Sequence, residues 1–310
     1  MPDQTPGSLA FRKSDWWSAA GLFMLVVLMS TVKPSVLVAI PFLLLVVTST
    51  VRSYVALGFT VIATMMVFVG PYDGVWYLEH GWALLLGGCF LGLSLAQPQV
   101  GLSDRALNAV FMSILLMSIL LALRSGAWSA LEWSVSDRIR VAVAQMITLA
   151  GADGLAPAVI AVLYKTAEVQ VLIFPALTAL GSFGALVLSW WLFLFVSGEG
   201  KETLGSISNF RFNDHLIWIL VVGLLLLLSR WSEPLHRLGT NAVVFIGALF
   251  AVRGVAVVVF MTGGLSIFGY AIAISGLVIV PPIVIGSAVL IGIADIYIDF
   301  RKRANKLAAG

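Results

Sequence analysis

Charged side chains are scarce in this chain of 310 residues, where lysine, arginine, aspartate and glutamate together make up 11%. A soluble domain carries about 25% charged residues, so this sequence lacks the charge that a water-exposed surface requires. Hydrophobic residues make up 60%, and the mean hydropathy is +1.05. The composition therefore predicts a polytopic membrane protein whose main partner is the lipid bilayer.

The residues that carry most enzyme and metal chemistry are also scarce. A single cysteine, Cys89, excludes an internal disulfide, and the three histidines, His80, His215 and His236, are isolated from one another. No pair of them has metal-ligand spacing, and no phosphate-binding loop, nucleophile elbow or HExxH motif occurs. The net charge of +3 is too small to indicate nucleic acid binding. We therefore expect no enzymatic activity, no cofactor and no metal site.

Long apolar runs occupy most of the chain instead. A helix needs about 20 apolar residues to cross the hydrocarbon core. The segments that approach this length are Trp16–Val32, Ser35–Thr50, Ser53–Gly70, Gly81–Ala96, Ala106–Leu123, Val169–Ser197, Leu216–Ser229, Thr240–Thr262 and the stretch Leu265–Phe300. They predict an all-α transmembrane helical bundle of about nine spans, within limits of eight to ten. With no linker or internal repeat visible, residues 1–310 are expected to form a single membrane domain.

The last stretch, Leu265–Phe300, allows two arrangements. As one straight helix it would be about 54 Å long at 1.5 Å per residue, which exceeds a hydrocarbon core of about 30 Å. Pro281 and Pro282 lie near its centre, where they remove two backbone donors and force the preceding residue out of helical geometry. We expect a turn or a sharp kink there, which gives either one kinked span or two short halves.

Residues 128–150 have a different pattern, that of an amphipathic helix too polar to span. Apolar side chains recur at helical spacing, and Glu132, Asp137 and Arg140 lie elsewhere around the helix. The apolar set comprises Trp128, Leu131, Val135, Ile139, Ala142, Met146 and Leu149. Two interpretations remain open, an interfacial helix lying on the membrane or a lid over a cavity.

Arg253 is the most unusual polar residue, because it interrupts the apolar segment "GALFAVRGVAVVVFMTGG". An arginine at the bilayer centre costs about 2.5–3.5 kcal/mol on insertion scales, so it needs a partner or a water-filled cavity. If the last stretch doubles back, Asp295 comes within range and the two form a buried ion pair, a structural lock. Otherwise Arg253 must bind backbone carbonyls, a hydroxyl such as Ser275, or an outside anion: a solute, a lipid headgroup or a partner membrane protein's carboxylate. With Asn241 on the same span, these residues form the candidate polar site.

The order of several motifs resembles the YybS-like family of bacterial membrane proteins. The segments that carry the resemblance are "IPFLLLVVTSTVRSYVAL", "FPALTALGSFGALVLSWW", "FRFNDHLIWILVV", "NAVVFIGALFAVRGVAVVVF" and "GIADIYIDFRKR". The resemblance implies an uncharged polar residue, commonly glutamine, at the position of Arg253. The family is in turn similar to the substrate-binding membrane subunits of energy-coupling-factor transporters. This implies a helical fold in the bacterial inner membrane that can hold a small molecule.

Three classes of function follow from these observations. Arg253, the proline-broken helices and the resemblance favour a protein that binds or transports a solute. A structural or assembly protein that binds partner proteins or lipid is the alternative, and a membrane enzyme is the weakest candidate. The basic tail Arg301–Lys306 favours an orientation with both termini in the cytoplasm.

Overall fold

The fold is helical throughout the part of the chain that the structure, a computed structural model, describes. The described residues are 76–97, 99–151, 156–196, 210–229, 232–264 and 266–308. They form the helices α1 (Trp76–Ala96), α2 (Leu102–Leu123), α3 (Ala127–Leu149), α4 (Pro157–Val196), α5 (Leu216–Leu228), α6 (Glu233–Met261), α7 (Ile267–Ile279), α8 (Pro281–Ile298) and α9 (Phe300–Ala308). The predicted all-α membrane fold is confirmed, whereas the first three predicted spans lie outside the described residues.

Four of the described helices, α2, α4, α6 and α8, are long and apolar enough to cross a membrane. Helix α2 begins at Leu102 instead of the predicted Ala106. Helices α4 and α6 begin still earlier than predicted, α4 at Pro157 instead of Val169 and α6 at Glu233 instead of Thr240. In both, a proline in the first turn starts the helix, because a helix does not need the N–H that proline lacks at this position. These helices therefore extend beyond the predicted spans, by residues 157–168 in α4 and 233–239 in α6.

The chain divides into two compact units. Unit 1 contains the described residues up to Phe174 and those from Gly181 to Val196, while unit 2 contains Pro175–Leu180 and the described residues from Phe210 onward. The long helix α4 contributes to both units. The prediction of one membrane domain over residues 1–310 stays a prediction.

In unit 1, α1 and α2 form a hairpin around the short loop 97–101. Leu86 and Phe90 of α1, Val110 of α2 and Leu186 of α4 are almost fully buried. The indole of Trp82 donates a buried hydrogen bond of 2.9 Å to the hydroxyl of Ser182 on α4. The apolar contacts and this hydrogen bond pack α4 with the hairpin.

Unit 2 is built on close helix packing at glycines. A Cβ atom at Gly239 of α6 would lie 2.7 Å from the carbonyl oxygen of Gly223 on α5. Cβ atoms at Gly254 of α6 and Gly292 of α8 would collide with the backbone carbonyls of Ala288 and Phe250, respectively. Because these side chains are absent, the backbones of α5, α6 and α8 approach one another directly.

The glycine contacts also fix the direction of α8. Gly254 meets Ala288, and Phe250 meets Gly292, so α6 and α8 are antiparallel. Seven residues separate Gly254 from the end of α6 and Ala288 from the start of α8. At 1.5 Å per residue each distance is about 10 Å, so α8 begins level with the end of α6.

The predicted break at the two prolines is confirmed. Helix α7 ends at Ile279, α8 begins at Pro281, and Val280 between them has φ −136° and ψ 56°. A Cβ atom at Gly276 would lie 3.2 Å from a methyl group of Val284, although eight residues span about 12 Å in a straight helix. The bend is therefore sharp. Whether Leu265 and Ala304 lie on the same side of a membrane stays a prediction.

Candidate functional site

Arg253 lies on α6 with only 2% of its surface exposed. Its Nε donates a 2.9 Å hydrogen bond to Oδ2 of Asp295 on α8, and its Nη1 donates a 2.6 Å hydrogen bond to Oδ1 of Asp214. The guanidinium carbon lies 5.4 Å from the ring centroid of Phe212, a cation–π contact. Arg253 is thus paired with two carboxylates and covered by an aromatic ring.

The close packing of α6 and α8 explains why Arg253 and Asp295 meet. Arg253 precedes Gly254 directly, and Asp295 follows Gly292 by three residues, close to one helical turn. The glycine contacts therefore bring both side chains into the interface between these helices. Asp295 is 1% exposed, whereas the side chain of Asp214, in the turn before α5, is 60% exposed. The site extends from the interior of unit 2 to its surface.

Two of the four predicted site residues meet in the structure. The structure contains the Arg253–Asp295 ion pair that is expected if the last stretch doubles back. Ser275 as a partner of Arg253 is wrong, because it lies exposed on α7, and α7 packs mainly against α8, beyond the end of α6.

Asn241 has a separate position near the start of α6. Its side-chain oxygen accepts a 2.9 Å hydrogen bond from the backbone N–H of Ala176, and its Nδ2 donates to the carbonyl of Arg237. Ala176 follows Pro175, the proline inside α4. Proline perturbs the local helical hydrogen bonding, so Asn241 supplies an acceptor where α4 is disturbed. Asn241 lies twelve residues before Arg253, about 18 Å along the helix.

More charges surround the central pair. Arg211 forms an ion pair with Asp299, and the buried Arg301 donates a 3.1 Å hydrogen bond to the carbonyl of Phe210. With Arg253, Asp214 and Asp295, these residues form what we call the ion-pair cluster: Arg211, Arg253, Arg301, Asp214, Asp295 and Asp299. The cluster contains three formal positive and three formal negative charges. Its net formal charge is therefore zero, which does not favour the binding of an outside anion.

Two members of the ion-pair cluster, Arg301 and Asp299, have shifted pKa values. Burial lowers the pKa of the Arg301 guanidinium, although the nearby charge of Asp295 opposes this shift. Burial alone would raise the pKa of Asp299, but the hydrogen bond and charge of Arg211 and the backbone N–H of Lys302 outweigh it and lower this pKa. The carboxylate of Asp299 is therefore stabilised in its charged form.

A second polar region lies in unit 1, between α3 and α4. The segment 128–150, predicted to be an amphipathic helix, forms the helix α3, Ala127–Leu149. Together with α4 it borders a cavity of about 760 Å³, which we call the α3–α4 groove. The residues that line it are Ser129, Glu132, Trp133, Ser136 and Arg140 of α3 and Tyr164, Ala167, Glu168 and Val171 of α4. The polar side of α3 thus faces this groove, an arrangement that favours the interpretation of α3 as a lid.

Metal ligands do not cluster in the described ranges. No group of three or more histidine, cysteine, aspartate or glutamate residues is placed there to hold a metal ion. The carboxylates of the ion-pair cluster instead contact arginines, and those of the α3–α4 groove lie beside aromatic and hydroxyl side chains.

Sequence analysis missed two charged residues. Asp214 lies outside the apolar segment that became α5, so a search for acids within spans passed over it. Arg105 lies just before the predicted span Ala106–Leu123, yet it is inside α2 and is only 6% exposed. The apolar residues that follow Arg105 in "LSDRALNAVFMS" are a signal that it belongs to the helix.

Comparison with known proteins gives one match. The model of the family described as "Predicted membrane protein (DUF2232)" matches residues 19–296. Because this match covers most of the chain, the protein belongs to that family. No curated protein and no solved structure matches it. The family description agrees with the apolar helices, and it assigns no activity.

Proposed function

We propose that this member of the DUF2232 family is a non-enzymatic membrane protein that binds a small polar molecule in the α3–α4 groove. Its role is related to solute uptake, like that of the energy-coupling-factor substrate-binding subunits that the YybS-like resemblance implies. The observation that carries the proposal is the groove itself. Its volume of about 760 Å³ lies within the range of about 300–1,000 Å³ that is typical of small-molecule sites.

The lining of the groove favours a zwitterionic molecule. Glu132 and Glu168 supply carboxylates, Arg140 supplies a guanidinium, and Trp133 and Tyr164 supply aromatic surfaces. Carboxylates bind an ammonium group, the guanidinium binds a carboxylate or phosphate, and the aromatic rings cover the apolar part of a ligand. A lining with both signs of charge can therefore bind the positive and the negative group of one ligand.

The membrane and orientation belong to the same proposal. The bacterial inner membrane is supported by the YybS-like resemblance. Cytoplasmic termini are supported by the basic residues of α9, Phe300–Ala308, under the positive-inside rule. A solute bound in the groove would then be in transit during uptake across this membrane.

Native mass spectrometry of the gently purified protein tests the groove. We expect a small molecule to remain bound to the wild type, and to be lost from the double variant Glu168→Gln/Arg140→Gln, because the variant removes charges of both signs from the lining. Asp137→Asn is the matched control, since Asp137 is exposed on the same helix and does not line the groove. A wild type without any bound molecule, or equal loss in the control, would contradict the proposal.

The second candidate function is a structural or assembly protein. It is favoured by the ion-pair cluster, in which Arg253 binds the chain's own carboxylates and leaves no formal charge for a ligand. Such a cluster acts as a structural lock between α6 and α8. A partner chain that co-purifies equally with the wild type and with the groove variants would support this function over solute binding.

A further inference from the structure

Arg105 is a buried arginine whose surroundings differ from those of Arg253. It is the fourth residue of α2, is 6% exposed, and its guanidinium carbon lies 4.9 Å from the ring centroid of Trp190. Its Nε and Nη1 atoms are buried, and neither has a hydrogen-bond partner among the described residues. The adjacent acid, Asp104, forms no ion pair with it in this part of the chain.

This environment leaves a positive charge incompletely matched. Arginine stays charged in proteins, and each of its N–H groups is a donor that needs an acceptor when buried. The ring of Trp190 attracts the cation through its π face, but it does not accept hydrogen bonds in the guanidinium plane. The in-plane donors Nε and Nη1 point to different sides of the guanidinium, and each therefore remains available to an oxygen atom of an anion.

Further donors lie at the same end of the α1–α2 hairpin. Ser94 lies one turn before the loop 97–101, and its buried hydroxyl also lacks a hydrogen-bond partner among the described residues. Gly101, the N-cap of α2, provides no side-chain acceptor for the first backbone N–H groups of that helix. A helix N-terminus of this kind favours a negative group.

The position of Arg105 indicates the source of the anion. It lies one turn from a polar loop that contains the exposed Gln97 and Gln99. Trp190 and Trp191 lie near the end of α4, and tryptophans concentrate at the level of the lipid headgroups. Phospholipid phosphates occupy this level on both sides of a bilayer, so they reach high local concentration there.

We propose that Arg105, together with Ser94 and the first backbone amides of α2, forms a binding site for a phosphate group, supplied by an anionic phospholipid headgroup. A phosphate oxygen accepts a hydrogen bond from Nε or Nη1, and the charge of the phosphate neutralises the guanidinium. This site lies outside the α3–α4 groove and does not depend on the proposed function.

Lipid-dependent thermal stability tests the site. The full-length protein in uncharged detergent micelles is titrated with phosphatidylglycerol, phosphatidylcholine or inorganic phosphate while its melting temperature is recorded. We expect phosphatidylglycerol to raise the melting temperature and phosphatidylcholine to have no comparable effect. Arg105→Gln should weaken the apparent affinity for phosphatidylglycerol by about tenfold or more, because it removes a charge-assisted hydrogen bond.

Arg124→Gln is the matched control, since it removes the same charge from the exposed opposite end of α2. It should leave the phosphatidylglycerol response unchanged. If Arg105→Gln does not fold, Arg105→Lys, which keeps the charge but has no planar fork, should give a response between those of the wild type and a non-binding protein. An equal response to inorganic phosphate would support the phosphate site and identify free phosphate as its source.

Three results would overturn the proposal. The first is an equal effect of phosphatidylglycerol and phosphatidylcholine on the wild type, with no effect of phosphate. The second is an unchanged response to phosphatidylglycerol in Arg105→Gln. The third is a destabilised Arg105→Gln protein whose wild-type parent responds to neither anion, which would indicate that Arg105 stabilises the fold and does not bind an anion.

Discussion

The two units each bury an arginine, and they satisfy it in different ways. In unit 2, Arg253 is 2% exposed and pairs with Asp295 and Asp214. In unit 1, Arg105 is 6% exposed and lies against Trp190 with two donors unpaired among the described residues. Burial of an arginine therefore does not define its role. The carboxylates that the fold brings near it decide whether the arginine locks helices together or can bind an anion.

The neighbouring helices explain this difference. The partners of Arg253 come from the ends of helices, since Asp295 lies three residues before the end of α8 and Asp214 two residues before the start of α5. Polar residues occur at such ends because the apolar segments stop there. The neighbour of Arg105 is the apolar part of α4, which supplies an aromatic ring in place of a carboxylate.

The largest expected effect comes from removing a carboxylate of the lock. Asp295→Asn leaves Arg253 buried with only the partly exposed Asp214 as an ion-pair partner. Loss of one partner of a buried ion pair costs about 3–5 kcal/mol, and we expect a loss of stability near the lower end of this range. The melting temperature and the free energy of unfolding in detergent micelles, followed by circular dichroism, measure it.

Two further variants make this test specific. Arg253→Gln combined with Asp295→Asn should recover most of the lost stability, because no unpaired charge remains. Asp299→Asn is the control, since the Arg211–Asp299 pair is partly exposed and such pairs contribute about 1 kcal/mol or less. If Asp295→Asn is as stable as the wild type, Arg253 does not act as a lock, and the contrast with Arg105 loses its basis.

An intermediate effect is expected from the helix contact that positions the lock. Gly254→Ala places a Cβ atom against the carbonyl oxygen of Ala288, so α6 and α8 must move apart. Overpacking of this kind typically costs about 1–3 kcal/mol, and the separation also lengthens the Arg253–Asp295 hydrogen bond. The same unfolding measurements apply, with tryptophan fluorescence as a second probe.

Gly247→Ala is the matched control on the same helix. A Cβ atom at Gly247 has no neighbour within 4 Å, and alanine favours the helix over glycine. Its stability should equal or exceed that of the wild type. Equal destabilisation of both variants would mean that α6 needs glycine for its backbone and not for its contact with α8.

Much of the fold could be predicted from local sequence. The apolar segments indicated the helices near their observed bounds, the prolines indicated the break at Val280, and the 3.6-residue period indicated α3. The helix starts were less accurate because polar residues before an apolar run, such as Tyr164 and Glu168 of α4, carry no signal of where a helix begins. The division into two units depends on long-range packing and leaves no mark in the segment pattern.

The site could be predicted only in part, because its geometry depends on register. The Arg253–Asp295 pair required the assumption that α8 lies level with Arg253, and the Gly254 and Gly292 contacts supply this alignment. Asp214 could not be predicted, since its distance from Arg253 depends on how far α5 extends along α6. The Arg105–Trp190 contact joins residues 85 positions apart, and no local pattern indicates it.

The smallest expected effect concerns pH and the outermost pair of the cluster. Arg211 and the backbone N–H of Lys302 hold the pKa of Asp299 below its ordinary value of 3.8, although burial opposes them. A carboxylate with a lowered pKa in the folded state contributes stability that is fully present above its unfolded pKa. That contribution is lost as the pH falls through the folded pKa. The stabilisation by Asp299 should therefore be constant near neutral pH and decline below about pH 4.

Comparison of the wild type with Arg211→Gln isolates this contribution from the other carboxylates, which titrate in both proteins. The stability difference should be at most about 1 kcal/mol near pH 7, because both side chains are partly exposed and screened by solvent. It should shrink toward zero in acid, as Asp299 becomes protonated in both proteins. A difference that is independent of pH would show that Arg211 acts through packing instead of charge. The ion pairs that stabilise unit 2 would then be those of Arg253 with Asp295 and Asp214 alone. The contrast between the paired Arg253 and Arg105 would be sharper.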